Sequence, residues 1–288
     1  MSIEQARAKI NLSLDILGLR NDGYHEVEMI LQSIALADCL SLEHSTDNNI
    51  TLILEPSSIE GADLLPVDDN NLAVKAARIM FDRFRLNGGL VIRLKKYIPI
   101  AAGLAGGSTD AAAVFRGLNR LFDLNLSNDQ LLELATLIGS DVPFCINGGT
   151  SLATGRGENL TQLPALPPIP IVMINPRGSV PTAWAYKNYD ADPSPEHPDN
   201  LQLVEAIKLG DVKAVGELMF NVLERVSVKI HPSIVEYKES LLNAGAFAAM
   251  MSGSGPTVFG LFNSIEKATL FADSFNDANA NVFVTHTI

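Results

Sequence analysis

Apolar residues occupy every second position from Ala6 to Ile16, with Arg7, Lys9, Asn11, Ser13 and Asp15 between them. A period of two predicts a strand over 6–17. Asn21, Asp22 and Gly23 supply a turn, and further strands are expected over 24–36, 38–43 and 49–54. Residues 71–84 have helical periodicity with Asn70 or Asn71 as a cap. A short alternating run over 90–95 predicts a strand, and an alanine-rich helix is expected over 109–122. Ser127 to Gln130 has the form of a capping box and opens a helix ending near Ile138 and Gly139.

Prolines at 164, 167, 168 and 170 mark the expected boundary between two lobes, 1–165 and 166–288. Beyond them the pattern predicts a strand over 171–174 and a Pro- and Asp-rich loop over 180–200. Helices are expected over 201–208, 211–225 and 232–244, strands over 246–251 and 256–262, a helix over 265–275 and a strand over 281–286. This mixed order fits an α+β fold better than a doubly wound parallel sheet.

The chain has 288 residues, 47% apolar and 19% charged, enough for a sizeable core. A formal net charge of −12 argues against general binding of nucleic acid or an anionic membrane. The two cysteines, Cys39 and Cys145, are far apart and lack metal-ligand spacing. Both are expected as core fillers in a reduced, cytoplasmic setting. The N-terminus lacks the apolar segment of a signal peptide, and no apolar run is long enough to span a bilayer.

The most informative segment runs from Pro99 to Asp110, where Gly103, Gly106, Gly107, Ser108 and Thr109 lie between a predicted strand and a predicted helix. Free backbone N–H groups at a helix start form an anion site, usually for phosphate. No Lys precedes Ser108, so this is not a Walker A loop, and the glycines do not follow the dinucleotide-binding spacing. The alternative is a tight connection with Ser108 or Thr109 as N-cap. A second loop, Ser252, Gly253, Ser254, Gly255, Pro256 and Thr257, lies between two strand-like runs. It reads as a hairpin turn, or as the partner of the first loop on a shared phosphate.

Asp141 stands where a helix breaks before Pro143, as a cap or as a chemically active carboxylate. Lys9 sits among apolar neighbours, as an edge lysine or one facing a cleft. Tyr24 and His25 follow a turn, on a surface hairpin or against a planar ligand. No cluster has zinc spacing and no nucleophile elbow occurs.

In this order, the Lys9 segment, the Gly103–Thr109 loop and the Ser252–Thr257 loop resemble the three motifs of the GHMP small-molecule kinases, over nearly the whole chain. Arg20-x-Asp22-Gly23-Tyr24-His25 and Ile138 to Cys145 are similar to the branch acting on a cytidine diphosphate derivative of methylerythritol, on a route to isoprenoid precursors. Ala101 and Ala102 replace glycines found in some members, and Thr109 replaces a common Ser; neither change removes a backbone donor or a hydroxyl.

The resemblance implies an N-terminal lobe of the ribosomal-protein-S5-like type with a left-handed crossover, a ferredoxin-like C-terminal lobe, and an active site between them. It implies ATP as co-substrate with Mg²⁺, which no named protein carboxylate ligates. Pro99, Ala102, Gly103, Leu104, Ala105, Gly106, Gly107, Ser108 and Thr109 would hold the triphosphate. Asp141 would be the base and Lys9 its cationic partner. Tyr24 and Tyr186 would sandwich the cytosine, with His25 on its edge. Asn11 and Thr182 would meet the methylerythritol side, and Ser252, Gly253, Ser254 and Gly255 complete the substrate site. The protein is expected as a monomer or homodimer. A sister kinase for mevalonate, homoserine or a sugar, a silent nucleotide-binding homologue and a plain binding module are the competing readings.

Overall fold

The alternation near the start belongs to a longer strand than the pattern predicts. In a computed structural model, which describes residues 1–193 and 196–288, β1 runs over Ser2–Leu19 and β2 over His25–Ser45. The two strands predicted over 24–36 and 38–43 are thus one. They are followed by β3 (Ile50–Leu54), α1 (Leu72–Phe84), β4 (Gly89–Lys95), α2 (Gly106–Leu121), α3 (Asn128–Thr136), α4 (Val142–Asn147), β5 (Thr150–Thr154) and β6 (Asn159–Leu163). Then come β7 (Pro170–Pro176), α5 (Thr182–Ala191), α6 (Asn200–Leu209), α7 (Val212–Leu218), β8 (Phe220–Asn221) and α8 (Glu224–Ser227). The chain closes with α9 (Ser233–Asn243), β9 (Ala248–Met251), β10 (Val258–Leu261), α10 (Ile265–Ser274) and β11 (Ala280–His286).

Two compact units divide the chain. The first comprises Met1–Ala8, Leu36–Ile100 and Ala105–Gly148; the second comprises Lys9–Ala35, Ala101–Leu104 and Gly149–Ile288. In the first, β3 and β4 are parallel and joined through α1, a βαβ unit, while Cys39–Ser45 of β2 runs antiparallel to β4. Asn71 caps α1 by accepting the Ala73 N–H at 3.0 Å. Ser127 and Gln130 close the capping box of α3 with both reciprocal bonds. Ala76, Ala77 and Met80 of α1 and Ala112, Phe115 and Leu118 of α2 are buried, and these two helices pack on each other. Truncating Phe115, which is 0% exposed, should cost about 3–5 kcal/mol.

In the second unit, β5 pairs antiparallel with Met29–Gln32 of β2 and with β6, and β8 pairs parallel with β1 at Ser13 and Leu14. A separate four-stranded sheet has the order β11-β7-β10-β9. Its β7-α-β9-β10-α10-β11 connectivity and antiparallel pairings are those of a ferredoxin-like layer. Met173, Ile174, Val258 and Phe259 are fully buried on it.

Several expectations require correction. The segment 180–200 is not simply a loop. Pro181 opens α5, which buries Ala185 and Tyr189, and proline and aspartate gather only at its ends; residues 194 and 195 lie outside the described part. The helix expected over 211–225 is broken, because the Asn221 side chain draws the backbone into β8. Its Nδ2 donates to the carbonyls of Met251 and Gly253, and its Oδ1 accepts the Leu223 N–H. The helix expected from 109 starts at Gly106. The short elements α4, β5 and β6 carry too few residues to show a period. Cys145 is buried as expected, but Cys39 is exposed on β2 and is no core filler. Among the described residues no helix is long and apolar enough to cross a membrane.

Candidate active site

The first turn of α2 lies in the first unit. Ala105 occupies the N-cap position in a left-handed conformation, with φ of 58°, and makes no side-chain cap. Neither Ser108 nor Thr109 is therefore the N-cap. The helical ladder begins with the Thr109 N–H on the Ala105 carbonyl at 2.9 Å. The N–H groups of Gly106, Gly107 and Ser108 precede it at the positive end of the helix dipole. Gly107 is exposed, so an anion can approach. The Thr109 hydroxyl points elsewhere: it donates to the Arg7 carbonyl at 2.7 Å and ties α2 to β1.

Asp141 stands at the N-cap position of α4, half-buried, and its side chain makes no capping bond. Pro143 is the second residue of this short helix, and Arg116 anchors its far side by donating to the Cys145 carbonyl at 2.7 Å. The carboxylate thus sits on a rigid corner and does not cap the helix that follows it.

Lys9 belongs to the second unit. It is 5% exposed on β1, and its Nζ donates to Asn11 Oδ1 at 2.8 Å. It is no edge lysine. Both glycine loops reach this unit and touch there. Ser252 Oγ donates to the Gly103 carbonyl at 3.1 Å, and a Cβ on Gly103 would stand 2.2 Å from the Ser252 carbonyl oxygen. A Cβ on Gly253 would come within 3.6 Å of Asn11 Oδ1. The second loop is also the hairpin connection between β9 and β10. Its Ser254 hydroxyl lies 3.2 Å from Thr182 Oγ1, and its Ser254 carbonyl accepts from Ser227 Oγ at 2.9 Å.

His25 and Tyr186 meet with ring centroids 4.8 Å apart, and His25 Nε2 lies 2.8 Å from Asp190 Oδ1. Tyr24 is 54% exposed, and the Arg156 guanidinium lies 4.8 Å over its ring. The Asp22 carboxylate accepts the Tyr24 N–H and, with Arg20 beside it, is held below the usual carboxylate range. The predicted planar-ligand residues are therefore present on one unit, with Tyr186 against His25 and Tyr24 under a cation.

Sequence reasoning missed Asp190, Arg156, Asn221 and the buried group of Asp38, Lys96 and Asp110. Each acts through a contact distant in the chain, and none lies in a motif except Asp110. Among the described residues no group of three His, Cys, Asp or Glu side chains could hold a metal ion.

Comparison with known proteins matches residues 71–149 to the GHMP kinases N terminal domain and residues 203–281 to the GHMP kinases C terminal domain. A relative from Acetivibrio thermocellus named 4-diphosphocytidyl-2-C-methyl-D-erythritol kinase is 43% identical over 284 residues, covering 99% of this chain and 98% of the relative. A Geobacillus protein of the same name is 49% identical over 257 residues, covering 89% and 86%. A crystal structure of 4-(cytidine 5'-diphospho)-2C-methyl-D-erythritol kinase matches with a TM-score of 0.82 and 31% identity, covering 99% of this chain and 98% of that one.

Proposed function

Since this chain belongs to the GHMP kinases, and within them to the 4-diphosphocytidyl-2-C-methyl-D-erythritol kinases, we propose the following roles for its residues in ATP-dependent phosphorylation of that alcohol. The substrate hydroxyl, the tertiary 2-hydroxyl of the methylerythritol moiety, attacks the γ-phosphorus of ATP. A new O–P bond forms, the bond to the β,γ-bridging oxygen breaks, and ADP leaves. Asp141 takes the hydroxyl proton as attack develops and releases it to solvent after transfer. Lys9, oriented by Asn11, stabilises charge on the transferred group. A tertiary alcohol is hindered, so positioning and charge stabilisation matter more here than full prior deprotonation.

The loop from Pro99 through Ala102 to Thr109 wraps the triphosphate, with the N–H groups of Gly106, Gly107 and Ser108 turned to the phosphates, while Pro99 has no N–H to offer and Thr109, bonded to the Ala105 and Arg7 carbonyls, fixes the turn. The cytidine end selects the substrate. Tyr24 and Tyr186 offer stacking faces, His25 meets the base edge, and Asn11, Thr182 and Ser252 to Gly255 contact the remainder. Mg²⁺ accompanies ATP in this reading, held by phosphate oxygens, and no step is assigned to a protein-held metal. In this reading 1–165 is the nucleotide lobe and 166–288 the ferredoxin-like lobe, a division by role and not by compactness, which groups 9–35, 101–104 and 149–165 with the later residues, and an enzyme using ATP and a cytidine nucleotide works in the cytoplasm.

The observation that carries this assignment is the contact of the two glycine loops through Gly103 and Ser252, beside the buried Lys9–Asn11 pair. The test is ADP release by the purified protein with Mg²⁺ and ATP, offered the cytidylyl alcohol, mevalonate, homoserine or galactose. Turnover with the first alone is expected. Turnover with another alcohol would reassign Tyr24, His25 and Tyr186.

A further inference from the structure

Three charged side chains that the roles above leave unused meet beneath the start of α2. Lys96 Nζ lies 2.6 Å from Asp110 Oδ2 and also donates to Asp38 Oδ2. None of the three side chains is more than 4% exposed. Asp38 is well supported, since its Oδ1 accepts the N–H groups of Tyr97 at 2.5 Å and Ile98 at 2.8 Å. Asp110 is not: its Oδ1 is buried without a hydrogen-bond partner.

As a device for stability this arrangement is poor. Taking three charges out of water is costly, two carboxylates share one ammonium, and apolar side chains would fill the space as well. Its position supplies another reason. The ammonium stands 3.5 Å from where a Cβ on Gly106 would be, directly behind the first residue of α2. The glycine loop has no lysine of its own. A cation fixed in a dry interior at that point adds to the helix dipole and acts with little screening.

We propose that Lys96 is a positioning residue for the phosphates of ATP: held by Asp38 and tied to α2 by Asp110, it sets the first turn of α2 and places a positive charge behind the N–H groups of Gly106, Gly107 and Ser108. The inference rests on the reading of that turn as the phosphate site. Burial pushes Asp110 up to about 8, against the pull of Lys96 and with Asp38 adding to the rise. The rise favours the neutral Asp110 carboxyl and so lessens the negative charge set against Lys96.

The experiment compares ATP and uncharged adenosine binding to the whole protein by titration calorimetry. Lys96→Gln should weaken ATP at least tenfold and leave adenosine within twofold, and Lys96→Arg should recover most of the ATP affinity. ATP within threefold of the unaltered protein, or equal losses for both ligands, would overturn the assignment. Should Lys96→Gln not fold, Lys96→Gln/Asp110→Asn removes one carboxylate as well and carries the same expectation. If that protein also fails to fold, Lys96 is a determinant of the fold and the proposal is wrong. Gly107→Asp separates the underlying reading, because its Cβ meets only Leu72, at 3.6 Å, and its carboxylate faces the anion site. If ATP still binds that variant normally, the phosphate reading of the turn itself fails. If it does not, and Lys96→Gln binds ATP normally, only the role of Lys96 falls.

Discussion

The Ser252 carbonyl oxygen occupies the place a side chain on Gly103 would need, 2.2 Å from the Cβ position, and Gly103 has a φ of 77°. Both facts require glycine there. Gly103→Ala should lower stability by well over the ~1 kcal/mol that a left-handed alanine costs, and should raise the KM for ATP. Gly210→Ala provides the comparison, with a φ of 68° and nothing within 4 Å of its Cβ. Equal melting temperatures for the two variants would contradict the close approach.

Asp141 makes no capping bond in α4, so the isosteric Asp141→Asn leaves the start of that helix as it is. Asp141→Asn is expected to reduce kcat by about 10²–10⁴-fold with the KM for ATP nearly unchanged, as loss of a general base does. Steady-state kinetics with each substrate varied in turn checks this, and near-normal kcat would remove the base assignment.

Tyr24 and Tyr186 are assigned to one end of one substrate. Stacking of a base on an aromatic ring contributes roughly 1–3 kcal/mol. Tyr24→Ala and Tyr186→Ala should therefore raise the KM for the cytidylyl alcohol by about fivefold to a hundredfold, and the KM for ATP should hold. Parallel increases in both constants would show that these rings support the fold rather than the base.

Asp110 predicts a pH dependence of stability. Its carboxyl ionises near 3.8 when exposed, and burial raises it to about 8 in the folded protein. Between those values the folded state holds a proton that the unfolded chain has lost. Stability should therefore fall as pH rises through that window. Lys96, lowered by burial but raised further by Asp110 and Asp38, is charged in both states throughout it. Asp110→Asn should flatten the slope in denaturant titrations between pH 5 and 8. Identical slopes would locate the proton elsewhere.

Asn221 donates through Nδ2 to the Met251 carbonyl at the end of β9, at 2.9 Å, and to the Gly253 carbonyl in the second glycine loop, at 2.8 Å. Asn221→Ala leaves these buried carbonyls without that donor, at about 1–3 kcal/mol each. A drop in melting temperature together with faster amide exchange in 252–257 is expected. Loss of stability without local exchange would limit Asn221 to the pairing of β8.

The legible parts of this protein are those whose determinants are local. The Asn71 cap and the Ser127–Gln130 capping box are written within four residues and form as expected. The period of two correctly marks β1 as a strand, although both of its faces are buried from Ala8 to Ile16, Lys9, Asn11, Ser13 and Asp15 included, and the motif order identifies the kinase family. What sequence leaves out depends on distant partners. Asn221 interrupts a helix pattern only because the Met251–Gly253 backbone is there to receive its bonds. Asp38 gives no local sign of Lys96, and His25 none of Asp190. Thr109 has the spacing of a phosphate ligand, yet its hydroxyl is spent on the Arg7 carbonyl. Cys39 reads as apolar but falls on the outward side of its strand.

The second compact unit takes residues 9–35 from early in the chain and 149–288 from late in it, with β1 beside β8. On the ribosome, the early strand emerges long before the segment that will lie beside it. The first unit has all its residues once Gly148 has cleared the exit tunnel, and can settle first. Ser13 and Leu14 of β1, already beside β2, must then wait for Phe220 and Asn221 of β8 to complete their pairing. Folding of this part of the site is thus coupled to synthesis of β8, and nascent chains arrested before β8 should lack nucleotide-dependent protection of Ser13 and Leu14 in β1.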